Sequence, residues 1–105
     1  MKPNNMANMM KQAQKMQADM ARVQDELKFE RVEASVGGGA VKVVMTGELV
    51  VESVTIDPAA LDPDDVSMLE DLVTAAVNEA VRQTQEVTQR KMAAVTGGLG
   101  IPGLM

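Results

Sequence analysis

A repeating pattern of apolar residues near the start of the chain restricts the fold more than any other sequence feature. Its seven members recur at alternating spacings of three and four residues, and they are Met6, Met9, Ala13, Met16, Met20, Val23 and Leu27. This heptad spacing, with no Pro or Gly inside it, predicts a long helix with one narrow apolar stripe. We call these seven residues the apolar seam. A seam this narrow fits one partner helix better than a broad core.

Downstream of the seam, the apolar period changes from three or four to two. Three runs rich in β-branched residues follow, at 32–36, 41–46 and 49–56. Gly37-Gly38-Gly39 separates the first two runs, and Gly47-Glu48 separates the second from the third. We expect Gly47 to supply the positive φ of a tight hairpin. Short turns between three such runs predict a three-stranded antiparallel meander.

A second long helix is predicted after the strands. Asp62 is its expected N-cap and Pro63 its first helical residue. One apolar stripe then continues to about Val95, through Val66, Leu69, Val73, Ala76, Ala80, Thr84 and Val87. The fold class is therefore α+β, with residues 1–96 forming a single domain and the Gly-rich residues 97–105 a flexible tail. Three strands leave edges and one face to cover, so we expect a homodimer.

The composition argues against most catalytic and metal-binding chemistry. The chain contains no His, Cys, Trp or Tyr, so an imidazole base, a thiol nucleophile and the common zinc sites are excluded. Acidic residues between 57 and 71 lack the order of a calcium loop, and the glycines at 37–39 lack the Lys of a phosphate loop. No signal peptide or membrane span is evident. We expect no enzyme, cofactor, metal or small-molecule substrate, and the absence of Cys fits a cytoplasmic protein.

Basic residues concentrate at the two ends of an acidic chain. The net charge is −5, and the acidic side chains cluster in the middle of the chain. Residues 57–81 alone carry seven acids and no base. On a helical wheel, Lys11, Lys15 and Arg22 fall within about 40° of one another, opposite the apolar seam. They form either a stripe that follows the phosphates of DNA or an ordinary solvated face, and the residues alone favour the solvated face.

The second helix carries three further cations near its end. They are Arg82, Arg90 and Lys91, and a surface pair between Glu86 and Arg90 is expected from their spacing. Phe29 is the only aromatic residue, which disfavours base stacking and leaves the duplex backbone as the nucleic-acid target. The Met-rich seam keeps a second class of function open, a non-catalytic adaptor that binds another protein.

Several short motifs occur in order between residues 6 and 95. They are Met-Lys-Gln-Ala-Gln-Lys-Met-Gln at 10–17, Val-Lys-Val at 41–43 with Gly47, Val-x-Ile-Asp-Pro at 54–58, and Leu-Glu-Asp-Leu-Val-x-Ala-Ala-x-Asn at 69–78. Each motif is common by itself. Their ordered combination resembles the YbaB/EbfC family of bacterial nucleoid-associated proteins.

The resemblance implies a homodimer whose long helices project as arms around double-stranded DNA. It also implies a non-enzymatic role in chromosome organisation and transcription regulation, within the nucleoid of the bacterial cytoplasm. Family contacts with DNA lie on the first and last helices. The positions carried over to this sequence are Lys11, Lys15, Arg22, Arg82, Arg90 and Lys91.

Overall fold

The computed structural model describes residues 3–97 and has the predicted order of helix, three strands and helix. Its elements are α1 (Pro3–Phe29), β1 (Arg31–Val36), β2 (Val41–Thr46), β3 (Val51–Ile56), a 3₁₀ turn (Pro58–Ala60) and α2 (Val66–Gly97). The strands form one antiparallel sheet in the order β1-β2-β3. The α+β meander between two long helices is therefore confirmed. Residues 98–105, most of the predicted tail, lie outside the described residues.

The main core forms where α2 packs across β1 and β2. Val32 pairs with Met45, and Ala34 pairs with Val43, so the alternate side chains of both strands share one face. The core residues buried there are Ala34, Val41, Val43, Met45, Ala76 and Ala80. Because the two core positions of α2 are alanines one turn apart, this helix can approach the sheet closely.

The apolar seam of α1 is buried only toward its C-terminal end. Val23 and Leu27 pack with Val95 of α2 in a second cluster. Toward the start of α1, Met6 and Met9 are 57% and 66% exposed. The seam therefore contacts a partner helix, as its narrow width predicts, but only over half of its length.

Residues 3–15 of α1 form an arm that extends away from the packed base. The chain measures 75 × 26 × 16 Å, and its radius of gyration is 20.6 Å. A compact domain of this length has a radius of gyration of about 13 Å. The radius of gyration exceeds that of a compact domain because the long helices extend beyond the packed base.

The start of α2 differs from the expectation. The helix begins at Val66, and its first-turn amide, that of Met68, donates to Oδ1 of Asp65. The predicted cap, Asp62, instead accepts from the amide of Asp64 in a preceding turn. An aspartate in this position can cap a turn as readily as a helix, because its side chain accepts from a backbone amide two or three residues ahead in either case. At its other end, α2 continues to Gly97, two residues beyond the expected end.

The role expected for Gly47 is also wrong. The positive φ in the β2–β3 turn belongs to Leu49, at 64°, and β3 begins at Val51 instead of at Leu49. Gly47 is required for a different reason, since a Cβ built there would stand 2.2 Å from the carbonyl oxygen of Leu27. Its amide donates to the carbonyl of Glu30 at 3.2 Å. Gly47 therefore lets the end of α1 rest directly on the sheet.

Candidate nucleic-acid interface

A groove runs between α1 and α2 where the two helices leave the sheet. We call it the interhelix groove, and its volume is about 270 Å³. The residues that line it are Lys15, Asp19, Arg22, Val23 and Glu26 from α1 and Lys91, Ala94 and Val95 from α2. The structure thus brings together three of the six cations predicted to contact DNA, two from α1 and one from α2.

Three acidic residues, two on α1 and one directly after it, neutralise part of the charge in the interhelix groove. Arg22 lies 2.9 Å from Glu26 and 3.8 Å from Asp19. Lys91 lies 3.5 Å from Glu26 and 3.9 Å from Glu30. The hydrogen bond from Arg22 holds the pKa of Glu26 below its usual range, so this carboxylate is ionised at neutral pH.

Lys11 continues the basic surface along the arm. It lies one helical turn from Lys15, and both side chains are exposed. On α2, Arg90 is also exposed and shares a shallow depression with Glu86 and Gln89. Within residues 3–97, none of these three cations forms an ion pair closer than 4 Å.

Arg82 does not join the interhelix groove. It lies nine residues before Lys91, which is about two and a half helical turns and therefore the opposite face of α2. Glu79 and Glu86 both form ion pairs with Arg82. Hydrogen bonds from Arg82 and Gln83 lower the pKa of Glu79 to about 2.

The expected surface pair between Glu86 and Arg90 is wrong, because Glu86 binds Arg82 instead. Both arginines lie four residues from Glu86, on either side of it, so spacing alone does not select between them.

Sequence reasoning also missed the part that Glu26 plays in the interhelix groove. Its pairing with Arg22 has a sequence signal, since the two residues are four apart on one helix. Its second contact joins it to Lys91, 65 positions away, and depends on how the two helices pack. The groove therefore presents an arginine and a lysine that share one carboxylate, an arrangement suited to exchanging that carboxylate for another anion.

Two other kinds of feature are absent from the described part of the chain. In residues 3–97 there is no cluster of three or more acidic side chains able to hold a metal ion. No helix in the same range is long and apolar enough to cross a membrane.

Comparison with known proteins gives matches over nearly the whole chain. A family model described as the YbaB/EbfC DNA-binding family matches residues 1–99. A nucleoid-associated protein of Acetivibrio thermocellus is 58% identical over 101 residues, covering 95% of this chain and 89% of that protein. Another, of Pelotomaculum thermopropionicum, is 54% identical and covers 95% of both chains. A crystal structure of an uncharacterized Helicobacter pylori protein shares the fold, with a TM-score of 0.63 at 19% identity over 74% of this chain and 90% of that one.

Proposed function

Because the chain belongs to the YbaB/EbfC DNA-binding family, we propose that it binds double-stranded DNA as a homodimer, mainly through phosphate contacts and with low sequence specificity. The family and its named relatives are DNA-binding, nucleoid-associated proteins and not enzymes. We further propose a location in the bacterial nucleoid and a role in its organisation and in gene regulation.

The observation that carries the proposal is the basic surface that runs from the arm into the interhelix groove. Lys11 and Lys15 extend along the exposed arm, and Lys15 lines the groove together with Arg22 and Lys91. Cations spaced along a helix can contact successive phosphates, and such contacts carry no sequence information. This arrangement supports binding to the backbone of many sequences.

Base recognition has little support in the described residues. Phe29 is 76% exposed but is the single aromatic side chain of the chain, so it cannot form a stacking platform for several bases. Asp19, Glu26 and Glu30 lie beside the cations of the interhelix groove, which favours modest affinity and strong dependence on salt.

Self-association is proposed to use the part of the sheet that α2 leaves uncovered. Val54 pairs with Val43 and Val51 pairs with Met45, so both β3 residues point to the core side of the sheet. Their burial differs sharply, because Val43 is fully buried whereas Val51 and Val54 are 41% and 43% exposed. A second copy that covers this apolar strip completes the core and places a second arm beside the same duplex.

A salt series tests the DNA-binding proposal directly. The probe is a labelled random duplex of about 30 base pairs, and its fluorescence anisotropy is measured against protein concentration. We expect the logarithm of the affinity to fall linearly with the logarithm of salt, with a slope of about −4 to −7 for roughly five to eight phosphates. Sedimentation of the same samples checks the dimer. No binding at low salt by a folded protein would contradict the proposal.

The exposed end of the apolar seam supports one alternative, a non-catalytic adaptor that binds another protein. Met6 and Met9 of the seam and the neighbouring Met10 are 57–66% exposed, and flexible methionines suit an adaptable binding surface. Under this alternative, Met6→Gln together with Met9→Gln removes apolar surface without adding charge, so it abolishes partner binding and leaves duplex affinity within about twofold. Loss of DNA binding with intact partner binding would exclude the adaptor role for the seam.

A further inference from the structure

Glu26 uses its two carboxylate oxygens on two different cations of the interhelix groove. Oε1 accepts from the Arg22 guanidinium at 2.9 Å, and Oε2 accepts from Nζ of Lys91 at 3.5 Å. The two non-bridging oxygens of a phosphodiester can bridge an arginine and a lysine in the same way. Glu26 therefore holds the position that a DNA phosphate would need in order to contact both cations.

The other acids near these cations are held less closely. Asp19 is 3.8 Å from Arg22, and Glu30 is 3.9 Å from Lys91. Neither of them joins the two helices through both cations, as Glu26 does. Among the described residues, Glu26 is thus the main competitor for these two side chains.

The shared carboxylate is also accessible from solvent. The side chains of Arg22, Glu26 and Lys91 are 58%, 43% and 30% exposed. Ion pairs at such exposure contribute little net stability, because water and salt screen them. Closely spaced phosphates can therefore compete with Glu26 for these cations, and displace it only in part, without disrupting the buried cluster beneath it.

We propose that Glu26 is an internal competitor for DNA, which occupies the phosphate position between Arg22 and Lys91 and so limits both the affinity and the number of phosphates bound. This inference rests on the proposed binding to duplex DNA. The proposed DNA-binding surface then contains an acidic residue that lowers the affinity for DNA, beside the cations that raise it.

The variant Glu26→Gln tests the inference. Glutamine keeps the length of the side chain and one acceptor for Arg22, while it removes the charge that competes with phosphate. We expect duplex affinity to rise about two- to fivefold, the range that an exposed ion pair supports. We also expect the salt slope to steepen by about 1–2, because Arg22 and Lys91 become free to contact phosphates.

Glu70→Gln is the matched control, since it changes the net charge by the same amount. Glu70 is exposed on α2 and forms no ion pair within residues 3–97. It lies 21 residues from Lys91, or about 32 Å along the helix, well beyond the screening length of about 8 Å at physiological salt. We expect its affinity and slope to match those of the unmodified protein.

A second variant, Glu26→Asp, keeps the total charge and shortens the carboxylate by one methylene, which withdraws it from Lys91. We expect its affinity to lie between those of the unmodified protein and Glu26→Gln. Circular dichroism melting checks that each variant is folded. If Glu26→Gln does not fold, Glu26→Asp tests the inference in its place.

The outcomes separate the inference from the proposed function. Equal affinity and slope for Glu26→Gln and Glu70→Gln overturn the inference, and so does tighter binding without a steeper slope. Failure of the unmodified protein to bind any duplex at low salt overturns the proposed function instead.

Discussion

Met45 and Met9 show how differently the base and the arm of this molecule are built. Met45 lies in the sheet and is 1% exposed, whereas Met9 lies on the arm and is 66% exposed. Burial of a methionine side chain contributes about 1.5–3 kcal/mol, so this free energy is gained at the base and hardly at all on the arm. The base therefore stabilises the fold, whereas the arm is a solvent-exposed helix. Three kinds of variant and one pH titration test this contrast between base and arm.

The largest expected effect is in the core of the base. Met45→Ala should lower the free energy of unfolding by about 2–5 kcal/mol, because it leaves a cavity between the sheet and α2. Met9→Ala should change it by less than about 0.5 kcal/mol. Urea denaturation of both variants measures the difference. A large effect at Met9 would show that the arm is packed in solution, and the comparison would then fail.

The next effect concerns the arm and DNA binding. Replacing Lys11, Lys15 and Arg22 together by Glu should weaken duplex binding at least about 100-fold, since three phosphate contacts become repulsions. The free energy of unfolding should stay within about 1 kcal/mol of its original value, because all three side chains are exposed. Fluorescence anisotropy measures the binding, and sedimentation checks the oligomeric state.

A matched control reverses three cations outside the arm and the interhelix groove, Lys28, Arg31 and Lys42. All three are exposed, and the change in net charge is the same. If this control loses as much affinity as the first variant, overall charge and not the basic surface determines binding.

A smaller effect is expected at the junction between base and arm. Gly47→Ala should cost about 1–3 kcal/mol, because the new Cβ overlaps the backbone of Leu27 and must push the end of α1 from the sheet. Glu48→Ala, in the same turn but exposed, should cost less than about 0.5 kcal/mol. Denaturation curves compare the two. Equal costs would mean that the close approach at Gly47 does not support the arm.

The smallest effect is the pH dependence of the ion pair on the outer face of α2. The pKa of Glu79 is about 2 in the folded protein and 4.5 in the unfolded reference, so its pairing with Arg82 stabilises the fold fully above pH 4.5. This contribution decreases as the pH falls and is lost near pH 2. The melting temperatures of the unmodified protein and Glu79→Gln should therefore differ slightly at pH 7 and converge toward pH 2. A constant difference would contradict the pairing.

The order of the elements could be predicted from the sequence because each element has its own apolar period. The seam predicted α1, and alternation at Val32, Ala34 and Val36 predicted β1. The family, too, was visible in short motifs, and the match of the family model to residues 1–99 confirms it. Local patterns were sufficient for these conclusions, since helices and strands bury residues at characteristic spacings.

What could not be predicted depends on contacts between distant segments or on a choice between equal neighbours. Gly47 is required by the carbonyl of Leu27, which no local turn rule contains. Glu86 had two arginines at the same spacing, and it pairs with Arg82, which also binds Glu79. The contact of Glu26 with Lys91 required two helices to meet. The six proposed DNA contacts remain predictions, although three of them line one groove.

The single residue between α1 and β1 has a mechanical consequence. Glu30 alone connects a 27-residue helix to the sheet, and the carbonyl of Leu27 meets Gly47 beside this joint. Beside this joint the C-terminal half of α1 is packed against α2, so the free lever is the arm, residues 3–15, about 20 Å long. A tilt of about 10° where the arm leaves the base moves its tip by about 3.5 Å, close to the 3.4 Å rise of one base pair. In the proposed homodimer, small differences in packing beneath the arms therefore set the span between the two tips with the resolution of a single step along the duplex.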